Sequence, residues 1–104
     1  KRDFTFIDDV VFGIKAAYLS TFKYEIFNLG NNKSYNIMKM INLIEKKLNK
    51  KAMINLGPIQ IGDVKKTFAS INKSIKLLNY KPITDLEIGI NNFINWYKTY
   101  HKII

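Results

Sequence analysis

Apolar and polar positions follow two periods along this chain. Phe4 and Phe6 flank polar Thr5, the alternation of a strand with one buried face. From residue 8 to 20 the spacing changes to threes and fours, with Val10, Val11, Ile14, Ala17 and Tyr18 on one face of a first helix. Asp8 or Asp9 offers the carboxylate oxygen that the orphan amides of a helix start require. Gly13 within that helix costs about 1 kcal/mol against Ala, which points to a close approach by a neighbouring backbone or to simple tolerance. Tyr24 to Leu29 is apolar almost throughout, as in a strand buried on both faces. Asn28 interrupts it and reads as structural, its amide bonded to loop backbone. Gly30, Asn31 and Asn32 end the run with residues that accept positive φ.

Asn36 is placed to cap a second helix over 37–49, with Ile37, Met40, Ile41, Ile44 and Leu48 inward. Lys39, Lys46, Lys47 and Lys50 stay in solvent, and the later ones complement the helix C-terminus. Ala52 to Leu56 alternates as a third strand, stopped by Gly57-Pro58. Two strands joined by a helix predict a right-handed crossover, so strands two and three should be parallel. Asn72 would cap a third helix over 73–78, with Ile75, Leu77 and Leu78 inward, and Asn79 fits a left-handed C-cap. Pro82 forbids continuation. Thr84-Asp85-Leu86-Glu87 fits a capping box that opens a last helix over 86–100. Leu86, Ile90, Phe93, Ile94 and Tyr97 make its buried face, with Trp96 at the edge. The sum is an α/β fold of three short strands and four helices in a small three-layer arrangement.

Composition narrows the function classes. A chain of 104 residues with 47% hydrophobic and 13% aromatic residues is one small globular domain. It has no cysteine, which excludes disulfides and thiolate metal sites and fits the cytoplasm. No apolar run is long enough to cross a bilayer, and no membrane partner is expected. The chain lacks an initiator Met and begins inside what reads as a motif, so it is expected to be a piece of a longer protein. The net charge of +9 is carried almost wholly by Lys. Many Ile and Asn accompany it, the bias of an AT-rich genome. No basic run exceeds two residues and no Arg alternates with aromatics, so nucleic acid is not the expected partner. The alternative reading is a basic, non-catalytic interaction module for nucleic acid or another acidic partner.

Arg2 is the only guanidinium, a planar fork that grips a phosphate with two parallel hydrogen bonds. A surface ion pair with Asp3, Asp8 or Asp9 is the alternative. Residues 57–69 form the longest stretch without periodicity, and such loops carry function or are disordered. The loop holds Gln60, Gly62 and Asp63. A carboxylate at 63 can accept from two neighbouring hydroxyls, Gly62 lets the backbone pass close to a ligand, and Gln60 can donate to a phosphate oxygen without adding charge. An ordinary Gly-Asp turn explains the same residues. His101, with no acidic partner nearby in sequence, reads as a solvated surface residue. No G-x-x-G-x-x-G occurs, and no Tyr with a Lys four residues on stands in a setting suited to catalysis.

Four stretches in register resemble one family. Arg2-Asp-Phe-Thr-Phe-Ile-Asp-Asp-Val-Val11 looks like the opening of the C-terminal substrate domain of NAD-dependent nucleotide-sugar epimerases and dehydratases, the extended short-chain dehydrogenases. Glu25 to Asn32, then Gln60-Ile-Gly-Asp-Val64, then Leu77 to Pro82 with Leu86 to Ile90, follow in that family's order and spacing. The likeness covers nearly the whole chain, and Gln-x-Gly-Asp-Val looks most like the UDP-glucuronate 4-epimerases. It implies a substrate-binding portion, 1–104, of a longer enzyme whose Rossmann domain binds NAD and is absent here. In that chemistry NAD takes a hydride from a sugar carbon and returns it to the other face. It implies a nucleotide-sugar ligand, with Arg2 and Gln60 on the pyrophosphate and Asp63 on the ribose. No catalytic, cofactor or metal residue is implied within this chain, which is expected to be inactive alone. Its protein partner would be its own missing NAD-binding domain or a separate chain carrying it. Four positions depart from the family: Ser70 stands for Asp, Lys65 for Pro, Asn79 for Gly, and Gln60 for the Arg of other members.

Overall fold

The computed structural model describes residues 1–103. In chain order the elements are β1 (Arg2–Asp3), α1 (Ile7–Tyr18), β2 (Ser34–Tyr35), α2 (Ile37–Leu48), α3 (Asn72–Leu78) and α4 (Leu86–Tyr100). β1 and β2 pair antiparallel, with Arg2 opposite Tyr35 and Asp3 opposite Ser34. α2 packs along α4, and α1 against α3. The four helices agree with the expectation, and the class remains mixed α/β.

The strands depart from the expectation. Phe4 to Phe6 is not a strand: the pairing falls two residues earlier, and Phe6 becomes the N-cap of α1. Tyr24–Leu29 and Ala52–Leu56 form no strand among the described residues, so the count of three and the parallel pair of strands two and three do not appear. An apolar run signals a surface that seeks cover, whereas a strand also needs a neighbour for its ladder of N–H and C=O groups. Here the covers are missing: Tyr24 is 81% exposed and Met53 102%. The backbone of 28 is satisfied differently, its carbonyl accepting from Ser74 Oγ at 2.6 Å. Asn28 is structural as expected, its Nδ2 donating to the Ser70 carbonyl at 3.2 Å.

Helix ends follow the sequence more closely. Asn36 Oδ1 accepts from Met38 N at 2.9 Å and opens α2. Asn49 and Asn79 close α2 and α3 in the left-handed region, at φ 51° and 52°. Neither Asp8 nor Asp9 caps α1, because the helix starts at Ile7 and both already lie in its first turn. Asp9 is buried and its Oδ2 accepts from Thr84 N at 3.1 Å, tying α1 to the approach of α4. The capping box at α4 does not form either: Asp85 takes the N-cap position without a side-chain cap bond, and its carboxylate is drawn to Lys33 Nζ at 2.8 Å.

The core is small. Ile71, Leu78 and Tyr80 are buried with Phe27, Leu29, Ala16, Ala17 and Ala69 around them, and Leu86 and Ile94 are buried on α4. Tyr80 is fully enclosed and donates its hydroxyl to the Gly30 carbonyl at 2.9 Å. The inward face of α1 carries the small or polar Asp9 and Gly13, while Val11, Ile14 and Tyr18 face out. A Cβ at Gly13 would stand 2.6 Å from Leu29 Cδ2 and 3.1 Å from Tyr80 Cδ2, so the close approach there is made by two side chains and not by a backbone.

Candidate functional site

Residues 63–67 run beside residues 1–3. Lys1 N donates to the Lys65 carbonyl at 2.8 Å, Thr67 N to the Lys1 carbonyl at 3.2 Å, and Asp3 N to Thr67 Oγ1 at 2.9 Å. Asp3 fixes the junction. Its Oδ1 accepts from Asn31 N at 3.0 Å, and its Oδ2 from Asn32 N at 3.1 Å and Ala69 N at 3.0 Å. Gly30 is required there, since a Cβ would come within 2.4 Å of Ala69 Cβ.

This edge presents Arg2. Its Nη2 donates to Asp63 Oδ1 at 2.8 Å, and its Nη1 to the Val64 carbonyl at 2.7 Å and the Lys1 carbonyl at 3.0 Å. A guanidinium has five N–H donors, so these three bonds leave two for a ligand. The carboxylate comes from a turn in which Asp63 N donates to the Gln60 carbonyl at 3.1 Å and Gly62 holds φ 88°. The pair is open on one side: the Arg2 side chain is 28% exposed and that of Asp63 54%. Arg2 and Asp63 are therefore brought together. Gln60 contributes its carbonyl to the turn, and its side chain makes no hydrogen bond among the described residues. The ion pair foreseen with Asp3, Asp8 or Asp9 is replaced by one with Asp63, a partner that local spacing does not reveal. Chemically the arrangement offers an anion fork beside a carboxylate with an uncommitted oxygen, Oδ2.

A second polar cluster was not legible in the sequence. Lys33 pairs with Asp85, and Lys39 Nζ lies over the Tyr35 ring, 4.7 Å from its centroid. The hydrogen bond and charge of Asp85 push Lys33 above its ordinary value of 10.5. Lys33 in turn holds Asp85 below the usual carboxylate value of 3.8, with smaller help from Tyr35 and Lys39. Tyr35 and Lys39 do have Tyr-x-x-x-Lys spacing. The ammonium caps the ring face as a cation–π contact, with Tyr35 in β2 and only Lys39 on a helix.

No group of His, Asp or Glu among the described residues is placed to hold a metal ion. His101 packs its ring 4.3 Å from that of Tyr97. No helix among those described follows a Gly-rich turn, the feature that receives a dinucleotide pyrophosphate. No described helix is long and apolar enough to cross a membrane. Of the departures from the family pattern, Lys65 and Ser70 act through their carbonyls, and Asn79 holds φ 52°, a conformation that Gly also accepts.

The chain belongs to the nucleotide-sugar epimerase/dehydratase family of the extended short-chain dehydrogenases, and corresponds to a part of its larger members. Within that family it is similar to the UDP-glucuronate 4-epimerases. It is 39% identical over 104 residues to the UDP-glucuronate 4-epimerase of Thermodesulfobacterium geofontis, covering 99% of this chain and 32% of that protein. The Bacillus cereus UDP-glucuronic acid 4-epimerase, solved with UDP-glucuronic acid and NAD, superposes with a TM-score of 0.85 at 32% identity, over 94% of this chain and 32% of that one. An uncharacterised protein of Methanocaldococcus jannaschii is 54% identical over 97 residues, 93% of this chain and 30% of that protein. The chain thus spans about a third of the length of the curated relatives it matches. No protein-family profile matches it.

Proposed function

We propose that this chain is the C-terminal, nucleotide-sugar-binding portion of an NAD-dependent sugar epimerase. The parent reaction is C4 epimerisation of UDP-glucuronate or a UDP-hexose. One observation carries the reading: Arg2 and Asp63, 61 positions apart, meet at 2.8 Å on one edge of the fold. The two unused guanidinium donors take the pyrophosphate, Asp63 Oδ2 accepts from a ribose hydroxyl, and the Gln60 amide swings in as a neutral second phosphate donor. The UDP-glucuronate 4-epimerases among its relatives support the choice of ligand.

NAD and the proton-transfer groups belong to an NAD-binding portion, on the same or a separate chain, that docks on this one. Exposed apolar positions support that partner. Ile7, Val11, Ile14 and Tyr18 recur at helical spacing along the outer face of α1, and Tyr24 and Ile26 are open at the start of the family's second motif. Segments 24–29 and 52–56 take up strand pairing, parallel to one another or to strands of that portion, when it docks. A cysteine-free chain suits the cytoplasm, where sugar nucleotides are handled. Alone, the chain turns nothing over: added NAD and UDP-glucuronate give no epimerised product, and turnover by this polypeptide would overturn the assignment.

Calorimetric titration with UDP tests the site itself. Arg2→Lys keeps the charge and loses the fork, and should weaken binding about tenfold, roughly 1.4 kcal/mol. Unchanged affinity in that variant would remove Arg2 from the site.

A further inference from the structure

At one end of the molecule α2 and α4 finish side by side. Met40 of α2 shares a cavity with Leu86 and Gly89 near the start of α4, and Leu48 shares another with Tyr97 near its end. The two helices therefore run in the same direction and deliver their C-terminal lysines together. Lys46, Lys50 and Lys51 line one groove with Asn42 and Asn49. Lys50 and Lys98 stand on the rim of a second groove of about 360 Å³, walled by Ile44, Leu48, Ile94 and Ile103 among others. Glu45 is the only carboxylate in either lining. It is already engaged, accepting from Ala52 N at 2.8 Å and Lys51 Nζ at 3.1 Å. Lysines near helix C-termini complement the dipole, but that does not explain an apolar groove rimmed by cations.

We propose that this end of the fold docks on an anionic lipid surface, the lysines meeting headgroup phosphates and the Ile103 rim entering the interface. Docking of this kind needs no spanning segment, so the absence of a long apolar run does not bear on it. The chemistry favours lipid over nucleic acid. The apolar walls, aliphatic but for Phe93 and Tyr97, suit acyl chains. The rings at this end pair with one another, Trp96 with Tyr100 at 5.4 Å and Tyr97 with His101 at 4.3 Å, while Trp96 and Tyr100 stay more than half exposed, as amphipathic rings do at a membrane–water interface. This surface shares no residue with the Arg2–Asp63 site and stands or falls separately from it.

The test is sedimentation of the full chain with phosphatidylcholine vesicles, with and without phosphatidylserine. Trp96, the only tryptophan, neighbours Tyr97 and reports insertion by its emission. Binding to the anionic vesicles alone is expected, with a blue shift. Replacing Lys46, Lys50 and Lys51 by Gln should weaken it about a hundredfold, at roughly fivefold per lysine. Replacing Lys15, Lys23 and Lys66 by Gln removes the same charge elsewhere and should leave binding largely intact, and circular dichroism of both variants checks the fold. Ile103→Asp should abolish the blue shift. No binding to anionic vesicles, equal losses in the two triple variants, or tighter binding to a DNA duplex than to the vesicles would overturn the proposal.

Discussion

Asp3 sits where three segments meet, and its carboxylate takes three backbone N–H donors at 3.0 to 3.1 Å. Bonds to a charged acceptor are the stronger kind, and removing it strands donors in a partly buried place. Asp3→Ala should cost about 3 kcal/mol in urea unfolding, and a loss below about 1 kcal/mol would show that water replaces it. Tyr80 makes the matching bond from inside the core, O–H to the Gly30 carbonyl at 2.9 Å. Burial, then the charges of Asp9 and Asp3, push its phenol above the ordinary 10.0. A raised acid pKa means the folded state holds the proton more tightly. Stability is thus complete below about pH 10 and falls as pH rises through the folded value. Tyr80→Phe should cost about 1–2 kcal/mol at neutral pH and flatten that alkaline limb in pH-resolved unfolding. At this scale the sequence disclosed chemistry without partners. Arg2 stood out as the lone guanidinium, yet its partner lies 61 positions away. The aperiodic loop singled out Asp63, which is half open, but nothing in the local pattern marked Asp3 as a scaffold.

Two helix ends were legible because their signals are local: Asn36 bonds two residues on, and Asn79 tolerates left-handed φ without a distant partner, whereas the N-caps read at Asp8 or Asp9, at Asn72 and at Thr84 do not form. Strands were not, because pairing is non-local. The apolar runs at 24–29 and 52–56 look like strands and find no ladder here. Helix faces were half legible. Periodicity located the stripe of Val11, Ile14 and Tyr18 on α1, but a stripe does not say which body covers it, and the tight inward contact is made by Gly13. Gly13→Ala adds helix propensity of about 1 kcal/mol and sets a methyl against Leu29 and the enclosed Tyr80 ring. Overpacking costs about 1–3 kcal/mol. The net expectation is a lower thermal midpoint, and a raised one would show that Leu29 yields. The Lys33–Asp85 bridge ties the turn before β2 to the start of α4. Asp85 is depressed, so this tie is present above about pH 4 and lost as pH falls through the lowered value. In Lys33→Met, the Asp85 carboxyl should titrate nearer 3.8 when followed by carbon-13 shifts.

Across the whole molecule the buried core is small, and large apolar side chains lie open on α1, on the 24–26 segment and at 53–61. A stable monomer seldom leaves so much uncovered. The proposed docking of an NAD-binding portion would cover this surface, and the curated relatives are about three times as long as this chain. On that account Val11→Lys with Ile14→Lys should make the chain more soluble and abolish its association with an NAD-binding portion in size-exclusion chromatography. Unimpaired association would move the docking face elsewhere.

The central claim is that Arg2 and Asp63 form a nucleotide half-site. The most direct measurement is an NMR titration of the full chain with UDP, following backbone amides. Saturable shifts centred on Arg2, Asp63 and Val64, lost in Arg2→Lys, are the expected result. Shifts confined to the lysines at the ends of α2 and α4, or none at the 60–64 turn, would contradict it.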